Sequence, residues 1–235
     1  MIESEQCRWN DFFRYNPASR HRRRMIRELI GALSFGSVLD AGCGNGELLH
    51  DLFYPNGSGL RLKGFDLNHA EAPALLRQLG AGYAQLNVDT AALPERFDLV
   101  IASEMVEHTR DDAAAMKNLA AMASKWILIT VPSGRVYPSD KAMGHTRHYS
   151  REGLQSLAES AGFRTLRCFA WGWPFHSLYR IGLNMATESI LDGFGQEKYT
   201  AAQRLLCEFL YGLFFLNSGR RGQQLFYLGE RLPGG

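Results

Sequence analysis

Short apolar runs rich in β-branched and aromatic side chains alternate along the chain with longer stretches in which apolar residues recur every three or four positions. That alternation predicts an α/β fold, a mostly parallel sheet flanked by helices. Seven strands are expected, at Gly36 to Ala41, Leu60 to Asp66, Gly82 to Asn87, Phe97 to Ser103, Lys125 to Val131, Phe163 to Trp171 and Gln223 to Arg231. Val38-Leu39 and Leu99-Val100-Ile101 are continuous apolar runs, the mark of strands covered on both faces, so both belong at the sheet centre. Helices are expected at about Ser19 to Leu33, Asn45 to Phe53, His69 to Leu79, Asp111 to Ala123 and Ser150 to Ser160, the last opened by Ser150 as N-cap and stopped by Gly162.

The interval Gly172 to Gly222, with two further helical patterns, is too long for a connector and reads as an insertion. No repeat or linker splits the chain. The expectation is one domain over 1–235: an N-terminal helical lid at 1–33, a core at 34–171, the helical insertion at 172–222 and the last strand within 223–235.

Composition narrows the function. The 235 residues carry 26 Lys plus Arg against 24 Asp plus Glu, a net charge of +2, so nucleic acid is not the expected partner. Hydrophobic residues at 46% and charged ones at 21% are those of a globular protein. Cys7, Cys43, Cys168 and Cys207 stand far apart, which argues against a disulfide framework or a thiolate zinc site and fits a reducing cytoplasm. The opening MIESEQCRWNDFF has neither a basic leader nor an apolar core and reads as no signal or anchor. Leu205 to Leu216 contains Glu208 and falls short of the roughly 20 residues that cross a bilayer, so no transmembrane segment is expected.

The most informative segment is VLDAGCGNG, Val38 to Gly46, where a buried strand ends in Asp40 and runs into Gly42, Gly44 and Gly46 before a helix. Glycines let the backbone turn sharply and approach a ligand, and free N–H groups at a helix start favour an anionic group. A dinucleotide fingerprint would need glycine where Glu47 stands, which disfavours NAD and FAD. Further along, Asp66 ends the second strand, Asn87-Val88-Asp89 follows the third, and FDLVIASEMVEH spans Phe97 to His108.

In this order and spacing, D-x-G-x-G-x-G and the later acids closely resemble the motifs of class I S-adenosylmethionine-dependent methyltransferases, over roughly Leu33 to Gly162. The resemblance implies a Rossmann-like sheet whose last strand is antiparallel, with S-adenosylmethionine as cofactor and S-adenosylhomocysteine as product. It implies that the backbone at Gly42, Cys43 and Gly44 cradles the methionine part, with Asp40 ordering the loop and the cofactor's amino group. Asp66, with Leu67 beside it, would accept the ribose hydroxyls, as a carboxylate suits a cis-diol. Val88 and Asp89 would meet the adenine, and Ser103 and Glu104 the methionine. Glu107-His108 matches an E-H pair in small-molecule members similar to ubiquinone-pathway O-methyltransferases, with His108 read as structural. Asp66 also has a plainer reading as a strand-terminal cap of the next turn, and Asp89 as a solvated turn acid.

The implied reaction is in-line methyl transfer to a small organic acceptor, with oxygen the expected atom and nitrogen or carbon left open. No N-P-P-Y or D-P-P-Y run follows the fourth strand, which disfavours base methylation, and the second loop glutamate of protein arginine methyltransferases is lacking. A weakly acidic hydroxyl profits from a general base. His145, in the loop Pro132 to Ser150, is the candidate catalytic residue, against the reading that His145 and Arg147 only pin the loop. Asp140, His145 and His148 make an unconvincing metal set for want of a second carboxylate, so no metal is expected.

The arginines at 20, 22, 23, 24 and 27 must point to different faces of one helix, so one can reach the cofactor carboxylate or an anionic substrate while others meet solvent. Trp9, Phe12, Phe13 and Tyr15 read as an aromatic lid or packing. Trp171, Trp173, Phe175, Tyr179 and the Leu205 to Leu216 run read as an acceptor pocket, a homodimer surface or added core. They do not make a clean basic amphipathic helix for a membrane surface. A noncatalytic scaffold that holds a partner is the alternative from another class.

Overall fold

The two continuous apolar runs occupy the middle of a seven-stranded sheet. In the computed structural model, which describes residues 11–57, 59–68, 70–185 and 198–232, the strands are β1 Ser37–Ala41, β2 Arg61–Asp66, β3 Gly82–Gln85, β4 Phe97–Ser103, β5 Ala123–Pro132, β6 Phe163–Trp171 and β7 Gln224–Arg231. Their order is β3-β2-β1-β4-β5-β7-β6. β1 pairs in parallel with both β2 and β4, and β3 with β2 and β5 with β4 do likewise. β7 runs antiparallel between β5 and β6. The expected Rossmann-like, mostly parallel sheet with an antiparallel last strand is therefore what the chain forms.

Because successive strand residues face opposite sides, Leu39, Val100, Ile127 and Ile129 look one way and Val38, Leu99, Ile101 and Leu128 the other. The first set packs on helices α5 (Asp112–Met122) and α7 (Arg151–Ser160) through Met116, Leu119, Leu154 and Ala158. The second packs on α2 (Pro17–Ile30) and α3 (Glu47–Phe53) through Ile26, Leu29 and Leu49. Local signals start these helices. Asn16 accepts the Ser19 N–H ahead of Pro17, Asp111 accepts that of Ala114, and Ser150 that of Gly153.

Three expected boundaries move for local reasons. The helix expected from His69 is α4, Ala74–Leu79, because Pro73 stands as its N-cap and the residue before a proline avoids helical geometry; His69 itself lies outside the described residues. The helix expected from Asn45 begins at Glu47, since Gly46 caps it at φ 86°. The third strand stops at Gln85, and Asn87 turns back to accept the Asp89 N–H. The loop expected over 132–150 also holds a short helix, α6, Pro138–Ala142, opened by proline. Cys7 and Trp9 lie outside the described residues, while Phe12, Phe13 and Tyr15 belong to α1, Asp11–Tyr15.

The insertion contributes α8 (Phe175–Met185) and α9 (Ala201–Phe214). Rings close around α2: His21 lies 5.2 Å from Trp171 and 5.9 Å from Phe214, and His176 lies 5.0 Å from Trp171. Burial first of all lowers both imidazoles, His21 to about 4 and His176 to about 3, so both act as neutral aromatic rings. No helix among the described residues is long and apolar enough to cross a membrane.

Ile101 is fully buried at the sheet centre. Ile101→Ala should cost about 2–5 kcal/mol in urea unfolding with the slope unchanged, and a loss under about 1 kcal/mol would contradict this placement.

Candidate functional site

The order of the strands reverses between β1 and β4, and in open α/β sheets ligands bind in the crevice at the carboxyl ends beside such a reversal. There the bend after β1 takes Gly42, Gly44 and Gly46 to φ values of 70°, 50° and 86°. A Cβ on Gly42 would stand 2.5 Å from Met105 Cγ and one on Gly46 2.7 Å from Leu76 Cγ, whereas one on Gly44 would meet nothing within 4 Å. Two glycines thus admit close packing beneath the bend, and the third leaves open space above it.

The bend is stitched to β2. Gly42 and Cys43 both donate to Phe65 O at 2.9 Å, and Gly44 donates to Asp66 Oδ2 at 2.9 Å. The other Asp66 oxygen accepts the Asn68 N–H at 2.9 Å. The Cys43 side chain packs under the bend against Gly64, and its carbonyl accepts the Gly46 N–H at 2.8 Å. Asp40 is buried below with Oδ2 unpartnered. Burial, then the negative charges of Glu47 and Asp66, push its carboxyl well above the ordinary range. The negative charges of Glu47 and Asp66 beside the bend favour a cationic ligand over a phosphate.

Next along the rim, Leu67 is exposed and Val88 buried, and Val88 O accepts from Asn118 Nδ2 at 2.7 Å. Asp89 Oδ2 accepts the Arg110 N–H at 3.1 Å, and its buried Oδ1 has no partner. Ser103 shares a hydrogen with Thr130 Oγ1 at 2.9 Å. Glu104 has φ 54°, the one positive value at a non-glycine residue among those described. Its surroundings hold it there: Oε1 accepts from Thr130 at 3.1 Å and Gln224 at 2.8 Å, and Oε2 lies 3.2 Å from Arg22 Nη1.

Beyond it stand Glu107 and the histidines. Glu107 is fully buried in the 3₁₀ turn Val106–His108, and neither carboxyl oxygen has a hydrogen-bond partner. Burial, then the charge of Glu104, raise this carboxyl well above its usual value. The His145 ring meets that of His108 edge-on at 4.7 Å. His145 Nδ1 shares a hydrogen with His148 Nε2 at 3.1 Å, and His148 Nε2 lies 3.5 Å from Asp140 Oδ2. Arg180 of α8 holds both Asp140 oxygens at 2.9 Å. Burial, then His108, lower the His145 imidazole, which favours its neutral form. Two triplets among the described residues lie close enough to share an ion, Asp140-His145-His148 and Glu107-His108-His145, but in the first Asp140 is already bound by Arg180.

The sequence-predicted residues Asp40, Gly42, Gly44, Asp66, Ser103 and Glu104 do lie on one rim. Arg147 pins the loop by pairing with Asp112 at 3.1 Å, as does Thr146, whose Oγ1 donates to Glu107 O at 2.8 Å, while the His145 N–H donates to Asp140 O at 3.0 Å within the loop. The arginines diverge as helix geometry requires, Arg22 to Glu104, Arg23 to Asp51, Arg24 to Glu28 and Arg20 to Glu208. Sequence reasoning missed Arg180 and Gln224, since nothing local marks residues that reach the rim from an insertion and a last strand. It named Glu107 only within its E-H pair, where an acid set in the apolar pattern MVEH was the available signal.

Comparison with known proteins points the same way. A profile for the methyltransferase domain matches residues 17–167. A ubiquinone biosynthesis O-methyltransferase of Nitrosomonas europaea is 31% identical over 118 residues, 46% of this chain and 49% of that protein. That of Serratia proteamaculans is 29% identical over 147 residues, 58% of this chain and 57% of its own. The chain thus spans about half the length of these relatives. Among solved structures, the N-methyltransferase NodS of Bradyrhizobium japonicum in complex with S-adenosylhomocysteine superposes with a TM-score of 0.59 at 12% identity, covering 97% of this chain and 93% of that one. The [4+2]-cyclase SpnF gives 0.61 at 15%, covering 92% and 82%. These two likenesses establish the fold, which supports more than one reaction.

The buried Glu107 has a pH signature. The folded chain keeps its proton, whereas unfolding returns the carboxyl towards 4.5, so its stabilising contribution is full below that value and is lost as pH rises towards the folded one. Glu107→Gln should gain stability relative to the unsubstituted chain by up to about 1.4 kcal/mol per pH unit in that window. Thermal unfolding of both proteins across weakly acid to neutral pH tests this, and a gap that stays constant would contradict it.

Proposed function

The chain belongs to the methyltransferase-domain family, the class I S-adenosylmethionine-dependent methyltransferases that its motifs resemble, and we propose that it moves a methyl group from S-adenosylmethionine to a hydroxyl of a small organic acceptor. The observation that carries this reading is the rim itself: an open glycine bend fastened to a strand-end carboxylate, with unpaired buried acceptors on either side. The oxygen acceptor draws support from relatives named as O-methyltransferases over part of the chain.

The residues present fit the ligand. Asp40 Oδ2, unpaired beneath the bend, suits the α-ammonium group, and the Asp66 carboxylate retains lone pairs for the ribose diol. Asp89 Oδ1, likewise unpaired, suits the exocyclic amine of adenine. Arg22, fixed by Glu104, is the cation placed to meet the ligand's carboxylate. When bound, S-adenosylmethionine supplies an electrophilic methyl on a sulfonium and leaves as neutral S-adenosylhomocysteine.

The chain's own task is alignment, exclusion of water and management of one proton. Neutral His145 accepts the acceptor's hydroxyl proton on Nε2 as the new C–O bond forms, since Nδ1 is engaged by His148. In that tautomer Nδ1–H donates to His148 Nε2, which fixes the ring's orientation.

Two variants separate binding from chemistry. Asp66→Ala should weaken calorimetric binding of S-adenosylhomocysteine about 10- to 100-fold, because bonds to a charged acceptor are worth about 1.5–3 kcal/mol, and an unaltered dissociation constant would show the ribose assignment to be misplaced. His145→Ala should lower turnover about 10²- to 10⁴-fold while leaving that binding nearly intact. Turnover would be read as metabolites that gain one methyl when enzyme and donor are added to a cell extract. Undiminished turnover would retire the base.

A further inference from the structure

His148 Nε2 stands between two groups and can serve one of them at a time. It lies 3.1 Å from His145 Nδ1 and 3.5 Å from Asp140 Oδ2, on a side chain that is 1% exposed. A ring nitrogen offers either a proton or a lone pair, so the position of the proton on His148 decides its position on His145.

The other nitrogen of His148 fixes its uncharged form. Nδ1 is shut off from solvent, is closed by no full hydrogen bond and faces the backbone carbonyls of Gly134 and Arg135. Carbonyls only accept, so they favour the proton on Nδ1, and a neutral ring with its proton there has a bare Nε2. Asp140 does little to reverse this, because its charge is already engaged. Arg180 holds both of its oxygens at 2.9 Å, and Oδ2 also accepts the Tyr137 N–H at 2.9 Å. Burial lowers the His148 imidazole against the pull of Asp140, and the Arg180 charge adds to the lowering. On the far side His145 meets His108 edge-on at 4.7 Å and feels the charge of Glu104. A carboxyl oxygen of the buried Glu107 and ring nitrogens of His108 and His145 all lie within 4.8 Å of one another.

We propose that His148 is a positioning residue for the methyl transfer, one that hands its tautomer on to His145. Uncharged, it takes the His145 Nδ1–H on its own bare Nε2 and leaves His145 Nε2 free for the acceptor's hydroxyl proton. One proton gained from solvent at His148 Nε2 reverses the bond. His148 then donates to His145 Nδ1, the His145 proton is exchanged to Nε2, and the base is withdrawn while its ring stays in place. The proposal rests on His145 as the base and adds what selects its competent form: two main-chain carbonyls beside His148, and an Arg180 to Asp140 bridge that keeps His148 uncharged.

Nitrogen NMR of the full chain labelled in its histidine rings tests this without any acceptor, free and with S-adenosylhomocysteine. In mildly alkaline buffer both His145 and His148 should carry the proton on Nδ1, the minority form of an unconstrained histidine. On acidification the His145 proton should pass to Nε2 at the same midpoint as His148 gains its charge. In His148→Gln the amide carbonyl accepts from His145 and does not titrate, so His145 should keep its Nδ1–H until its own ring is charged. Arg180→Gln frees the charge of Asp140 and should move the His148 midpoint up by about one pH unit. Binding of S-adenosylhomocysteine checks the folding of each variant, and His148→Gln carries the test should Arg180→Gln misfold. A His145 proton on Nε2 in alkaline buffer would overturn the proposal, as would a tautomer change in His148→Gln at the midpoint of the unsubstituted chain. Undiminished turnover in His145→Ala would retire the base while these spectra stood, so the two failures are told apart.

Discussion

The bond from the Gly44 N–H to Asp66 Oδ2 is the constraint on which the site depends. It joins the glycine bend to the end of the neighbouring strand, and so places a carboxylate beside the open space over Gly44. The parallel pairing of β1 with β2, Ala41 opposite Phe65, sets both at the same height, and Phe65 O takes two more amides of the bend. A one-residue slip in that register would turn Asp66 to the other face of the sheet. The sheet core and the ligand rim are therefore one specification.

Glu104 does a similar job further along. Its strained backbone is held by partners from three directions, Thr130 on β5, Gln224 on β7 and Arg22 on α2. Helix α2 and strands β5 and β7 thus meet at one carboxylate. Removing Arg22 takes the partner from Oε2, whereas Oε1 keeps one donor if either Thr130 or Gln224 is lost. Behind it, Arg180 of α8 holds both oxygens of Asp140 and so ties the loop after β5, which also carries His145 and His148, to the insertion.

What could be read from the chain beforehand follows from how local each signal is. The continuous runs at Val38-Leu39 and Leu99-Val100-Ile101 marked the central strands because burial on both faces leaves no room for polar alternation. Asp40, Asp66 and the glycines were readable because their chemistry is carried within a few residues. Helix starts shifted where Pro73 and Gly46 overrode the apolar period. The destinations of the arginines, by contrast, depended on which acids the fold carried to them, and Arg180 and Gln224 gave no sign of reaching the rim.

The central claim is that the bend and the Asp66 carboxylate together form the socket for a sulfonium nucleoside. A crystal structure of the protein grown with S-adenosylhomocysteine tests it most directly. The account predicts the ligand over Gly44, its ribose hydroxyls within hydrogen-bonding distance of Asp66 and its sulfur turned towards Glu104 and His145. A ligand seated elsewhere, or a bend left empty at saturating concentration, would contradict it.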